Sequence, residues 1–128
     1  MSGDRDPSSA RDPLNATRAC AVADALLAGM DVETADVRAA VKWTLEQLAG
    51  KAPGRSVELR VPPYAAVQVI PGVVHRRGTP PALVECDART WLALACGRLA
   101  WHEVCGTPEL RASGERSDLS AYLPLIVE

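Results

Sequence analysis

Val84-Glu85-Cys86-Asp87-Ala88-Arg89-Thr90-Trp91-Leu92-Ala93-Leu94-Ala95-Cys96-Gly97 changes its hydrophobic period once, at Asp87. Before that residue, β-branched Val84 between Leu83 and Glu85 reads as a strand over Ala82–Cys86. Asp87 is placed to cap a helix through Trp91, Leu92, Leu94 and Ala95, and Gly97 supplies its stop. Downstream, Leu99–Cys105 offers one more short helical stretch, and Glu109–Ser113 reads as a strand closed by a turn at Gly114. Ser117 or Asp118 can then cap a last helix with Leu119 and Leu123 on one face, its length limited by Pro124.

Upstream, three strands are expected. Ser56–Val61 alternates, with Val57, Leu59 and Val61 on one face and Glu58 and Arg60 on the other. Ala65–Ile70 carries Val67 and Val69 opposite Gln68, and Val73–Arg76 can form a short third strand after the Pro71-Gly72 turn. Two helices precede them. One starts at Asp12-Pro13, carries Ala19, Val22, Ala23, Leu26 and Leu27, and stops at Gly29. The other opens at Asp31 or Thr34 and carries Val37, Val41, Thr44, Leu45 and Leu48 on one stripe. Gly50 and Ala52-Pro53-Gly54 end it. Residues 1–11 are polar and read as a disordered lead to a single domain over 12–128. The order predicts an α+β fold: a five-stranded, mostly antiparallel sheet, helices on one face, and two N-terminal helices.

Composition narrows the function classes. The chain has 128 residues, 48% hydrophobic and 23% charged, a globular balance rather than a disordered one. A formal charge of −2 gives no electrostatic case for nucleic acid. No apolar stretch approaches the ~20 residues of a membrane span, so stable membrane insertion is not expected. The polar start MSGDRDPSSARDP, followed by an apolar stretch broken at Asp24, fits no signal peptide, and a cytoplasmic location is expected. Cys20, Cys86, Cys96 and Cys105 form no C-x-x-C, and a disulfide framework is not expected.

Candidate chemistry is sparse. Cys96, His102 and Cys105 are close in sequence, but they are three ligands where a structural zinc site needs four. Cys105 and His102 could meet at helical spacing, yet nothing nearby orients the histidine or activates the thiol. Glu58, Glu85 and Glu115 are single acids, and no phosphate-binding loop, dinucleotide fingerprint or nucleophile elbow is present. No metal, no cofactor and no catalytic residue is expected. His75-Arg76-Arg77-Gly78 is the most concentrated basic feature, either a solvated turn or a contact for an anionic or polar headgroup. Trp91 and Leu94, Leu119 and Leu123, and Val67 and Val69 converge on one space. With no Phe to fill volume, that space is either a closely packed core or a cavity.

The C-terminal half carries a resemblance. Val84-Glu85-Cys86-Asp87, then Trp91 through Gly97-Arg98-Leu99, then Glu109-Leu110-Arg111-Ala112-Ser113-Gly114 resembles the sterol carrier protein 2 family. With Thr44-Leu45-Glu46, Arg77–Pro81 and Asp118–Pro124, the likeness extends over roughly residues 33–126, to that family's stand-alone bacterial orthologues. The chain departs from the eukaryotic members in its extra N-terminal helix, its lack of Phe, and Cys105 and Gly106 where an aromatic is common. The resemblance implies a hydrophobic tunnel between sheet and helices that holds a lipid, sterol or fatty acyl chain. Lining residues would be Val41, Leu45, Val67, Val69, Trp91, Leu94, Ala95, Leu119 and Leu123, with His75, Arg76 and Arg77 at a polar headgroup. It implies a non-catalytic carrier. The alternative is a solid-cored interaction or accessory domain that assists a bacterial enzyme or forms a homo-oligomer.

Overall fold

The computed structural model describes residues 13–72 and 82–127. Helices α1 (Pro13–Leu27) and α2 (Thr34–Lys51) come first, joined through Gly29, which sits at φ 77° where a side chain would be strained. α2 buries Val37, Val41, Thr44, Leu45 and Leu48 at three- and four-residue spacing. It continues through Gly50, expected as a stop, to Lys51. A glycine in the last turn costs about 1 kcal/mol, too little to end a helix anchored by a fully buried Leu48.

Among the described residues four strands form one sheet, β1 (Val57–Val61), β2 (Ala65–Val69), β3 (Ala82–Cys86) and β4 (Leu110–Ser113), in the order β2-β1-β3-β4. Against the expectation of five mostly antiparallel strands, the described residues hold four strands in a mixed sheet, and the strand expected at Val73–Arg76 lies outside the described residues. β1 pairs antiparallel with β2 and parallel with β3, while β3 pairs antiparallel with β4. The parallel pair has a simple origin. Ser56 N–H donates to Ile70 O at 3.1 Å, and Ala82 N–H donates to Ser56 O at 2.9 Å. Both ends of the β2–β3 connection are therefore tied beside the start of β1, and β3 leaves in the same direction.

Alternation sorts the sheet into two faces. Val57, Leu59, Val61, Val69, Ala82, Val84, Cys86 and Leu110 are buried in one cluster with the helices. The opposite face is polar: Arg60 bonds Glu58 at 3.0 Å, and the register sets Arg60 beside Glu85 and Glu85 beside Arg111. Alternating charge across neighbouring strands keeps that face in water.

After β3, α3 (Ala88–Ala95) begins as the sequence predicts, with the Asp87 carboxylate accepting from Thr90 N–H at 2.7 Å. All of its residues except Arg89 are buried, because α1 packs across α3 and α2 while the sheet closes the interior. α4 (Trp101–Val104) is a single turn whose first N–H, from Ala100, is satisfied by the Glu103 carboxylate. The last helix expected from Ser117 or Asp118 is only a 3-10 turn, Ser120–Tyr122. Pro124 cannot donate to a longer helix. The chain runs on extended instead, and the N–H groups of Leu125 and Ile126 both donate to Ala95 O, at 2.9 and 3.1 Å. This C-terminal segment thus straps the end of α3.

Candidate functional site

The nine apolar residues expected around a ligand gather in one region. Val41, Leu45, Val69, Trp91, Leu94, Ala95 and Leu119 are buried in a single core cluster, and Val67 and Leu123 are partly buried against it. His75, Arg76 and Arg77 lie outside the described residues.

At the centre is a polar pin. The Trp91 indole N–H donates to Thr44 Oγ1 at 2.8 Å, and the Thr44 hydroxyl in turn reaches the carbonyls of Ala40 (2.8 Å) and Val41 (3.0 Å). Both residues are almost fully buried, so the bond locks the indole between α2 and α3. Thr44 was legible as a member of the α2 stripe; its pairing with Trp91 was not. The available signal is that a hydroxyl in a buried stripe requires a partner, and an indole N–H is a donor in search of an acceptor. Thr90 Oγ1, also buried in α3, has no hydrogen-bond partner among the described residues.

Space opens at the margins of this core. A groove of about 550 Å³ lies between residues 97–103 and the C-terminal strap, with Leu99, Trp101, Leu123 and Pro124 on its apolar side and Arg98, His102 and Asp118 among its polar lining. Leu123 links this groove to the buried cluster. The Asp118 carboxyl is held below its ordinary range by the backbone N–H and side chain of Ser120. A second groove, of about 350 Å³, runs between α1 and α2 along Ala19, Val22, Ala40 and Trp43.

Burial sets the state of two of the thiols. Burial pushes the Cys86 thiol up to about 12, and burial together with contact with Cys20 holds Cys96 protonated well above the usual thiol range. Cys105 is exposed while Cys96 is buried, and among the described residues no three His, Cys, Asp or Glu side chains are grouped to hold a metal ion. No described helix is long and apolar enough to cross a membrane.

The sequence pattern of one family, bacterial SCP ortholog, matches residues 33–125. The chain belongs to that SCP2-like bacterial family. Comparison with curated proteins gave no match. In this SCP ortholog the matched span starts directly before α2 and takes in the whole sheet, α3, α4 and most of the C-terminal strap. All nine expected lining residues fall within it, and α1 falls outside. This N-terminal helix packs against α2 and α3 and contributes Ala19, Cys20 and Ala23 to the core.

Proposed function

We propose that this SCP ortholog is a non-catalytic carrier for a small hydrophobic or amphipathic ligand, a lipid, sterol or fatty acyl chain, in the cytoplasm. The observation that carries the reading is the family match over a span that holds all nine of the expected lining residues, which lie in or against one apolar cluster. In this reading the ligand enters through the groove between residues 97–103 and the C-terminal strap. Its tail displaces Leu123 and runs toward Leu119, Leu94 and Trp91. A polar headgroup would suit His75, Arg76 and Arg77, which lie outside the described residues, since guanidinium pairs well with carboxylate and phosphate.

Magnitudes favour entry by displacement over a standing void. An empty cavity costs on the order of 24 cal/mol per Å³, so ~300 Å³ would cost roughly 7 kcal/mol, against a domain stability of about 5–15 kcal/mol. The side chains therefore close on one another when no ligand is bound. An acyl chain regains about 0.8 kcal/mol per buried methylene before ordering costs, enough to open the mouth. Native mass spectrometry of the purified protein, with an organic extract, tests this. A bound mass that extracts as lipid, with micromolar uptake of a fluorescent fatty acid, is the expected result; protein with neither overturns it.

One observation favours a second reading. The Trp91–Thr44 bond and the fully buried leucines around it are what a solid-cored accessory domain would also show. In that case the same native spectrum contains no small ligand, and a subunit or partner protein accounts for any added mass.

A further inference from the structure

Two hydroxyls are buried in this fold, and only one of them is matched. Thr44 on α2 and Thr90 on α3 are the buried polar side chains among the described residues, 0% and 1% exposed. The Thr44 hydroxyl is saturated: it reaches the carbonyls of Ala40 and Val41 and accepts the Trp91 indole N–H. Thr90 Oγ1 has no hydrogen-bond partner among the described residues. The backbone of Thr90 is not the cause, since its N–H donates to the Asp87 carboxylate. Two other buried donors lack partners, Trp43 Nε1 and Gln47 Nε2, but they belong to partly exposed residues of α2.

A hydroxyl can donate and accept, and burying it with neither capacity used costs stability. Helix formation does not require it at this position. Valine has the same shape and a similar helix propensity, and would fill the site without that cost.

α3 sets the hydroxyl beside the apolar layer. Thr90 and Leu94 are four residues apart and share one helix face, next to the face from which Trp91 reaches α2. Leu94 is fully packed in the core cluster, and the ligand tail runs toward it in the carrier reading. An ionised group does not suit this place: no charged side chain is among the buried residues described, and one hydroxyl cannot replace the hydration of an ion. A single neutral oxygen does suit it.

We propose that Thr90 is the polar anchor of the ligand site, and that the ligand it selects carries one neutral oxygen, a hydroxyl or a carbonyl, on its otherwise apolar tail. The proposal rests on the carrier reading and narrows its ligand class. In the closed layer the Thr90 hydroxyl is unmatched, and the oxygen on an entering tail supplies the missing hydrogen bond. A plain alkyl tail leaves the hydroxyl as it was. An oxygenated tail that met only leucine and valine side chains would give up its bonds to water and gain none. Selection therefore comes from pairing two groups that are each costly alone.

The test compares stearic acid with hydroxystearic acids that carry the hydroxyl at mid-chain or at the chain end, each competing against a fluorescent fatty acid. Wild-type, Thr90→Val and Thr90→Ser proteins are measured side by side. The wild-type preference for the best-bound hydroxy acid over stearic acid should fall roughly three- to tenfold in Thr90→Val and return in Thr90→Ser. Affinity for stearic acid itself should stay as in the wild type. In urea unfolding without ligand, Thr90→Val should raise the midpoint, opposite in sign to Thr44→Val, because it removes an unmatched hydroxyl rather than a bonded one. A Thr90→Val protein with the wild-type preference overturns the anchor and leaves the carrier reading standing. A midpoint that falls in Thr90→Val also overturns the anchor, since the hydroxyl would then be matched within the fold. Wild-type protein that takes up none of these acids overturns the carrier reading and the anchor with it.

Discussion

Thr44 occupies a position on α2 where an apolar side chain would complete the stripe, and its hydroxyl is tolerated because it is saturated. It reaches two carbonyls of its own helix and accepts the Trp91 indole N–H. Removing it has asymmetric consequences. Thr44→Val keeps the shape but strands a buried indole donor, which costs about 1–3 kcal/mol. Trp91→Phe removes the donor and leaves the hydroxyl bonded to its own helix, so its cost is mainly lost volume. In a double-mutant cycle by urea unfolding, Thr44→Val is expected to cost distinctly less in the Trp91→Phe background, with a coupling of about 0.5–3 kcal/mol. Additive effects would mean that the bond contributes nothing. The sequence placed both residues facing the interior, since each sits on a periodic stripe. It could not join them, because residues on separate helices are paired by tertiary geometry alone.

At the level of elements, local signals succeeded where the end of an element is decided locally. Asp87 and Gly97 framed α3 because a carboxylate cap and a left-handed glycine act within one turn. They failed at the C-terminus, where Leu119 and Leu123 share a helical spacing but Pro124 and the hydrogen bonds to Ala95 O draw the chain straight. One ion pair joins α1 to the chain just beyond α3, Arg98 donating to both Asp24 carboxylate oxygens at 2.8 and 3.2 Å, and this clamp yields a pH prediction. The hydrogen bond from Arg98 lowers the Asp24 carboxyl below its ordinary 3.8. A depressed folded-state value means the stabilising contribution is complete above the unfolded value and disappears as pH falls through the folded one. Hydrogen exchange of α1 amides, corrected for intrinsic rates, should therefore accelerate selectively below about pH 4, while α2 and α3 keep their protection. Asp24→Asn should show the faster α1 exchange already at neutral pH and lose the acid step. Because the pair is partly exposed, added salt should reproduce part of the effect. An α1 that keeps pace with α3 across this range would show that the clamp does not hold the helix.

Across the whole molecule, what periodicity cannot supply is neighbourhood. Sequence patterning located β1, β2, β3 and β4 and, by alternation, sorted the faces of β1 and β2, but the central parallel pair comes from two backbone hydrogen bonds at Ser56, far from either strand's centre. The apolar cluster was legible to the same degree: nine of its members could be named, while the groove beside it could not, because that groove is made by an extended strap that reads as a helix. Two leucines on that strap separate its roles. Leu119 is fully buried in the cluster, whereas Leu123 is partly buried and lines the groove of about 550 Å³. Leu119→Ala should therefore behave as a core deletion, losing about 2–5 kcal/mol in urea unfolding. Leu123→Ala should lose only about 1 kcal/mol, in proportion to its partial burial, and keep the fold at room temperature. If the strap guards the entrance to the apolar layer, Leu123→Ala opens it, and the association rate of a fluorescent fatty acid should rise several-fold in stopped-flow measurements. A folded Leu123→Ala protein that takes up the probe at the wild-type rate would place the entrance elsewhere, for instance between α1 and α2. A Leu123→Ala protein as unstable as Leu119→Ala would show that the strap is core through its whole length.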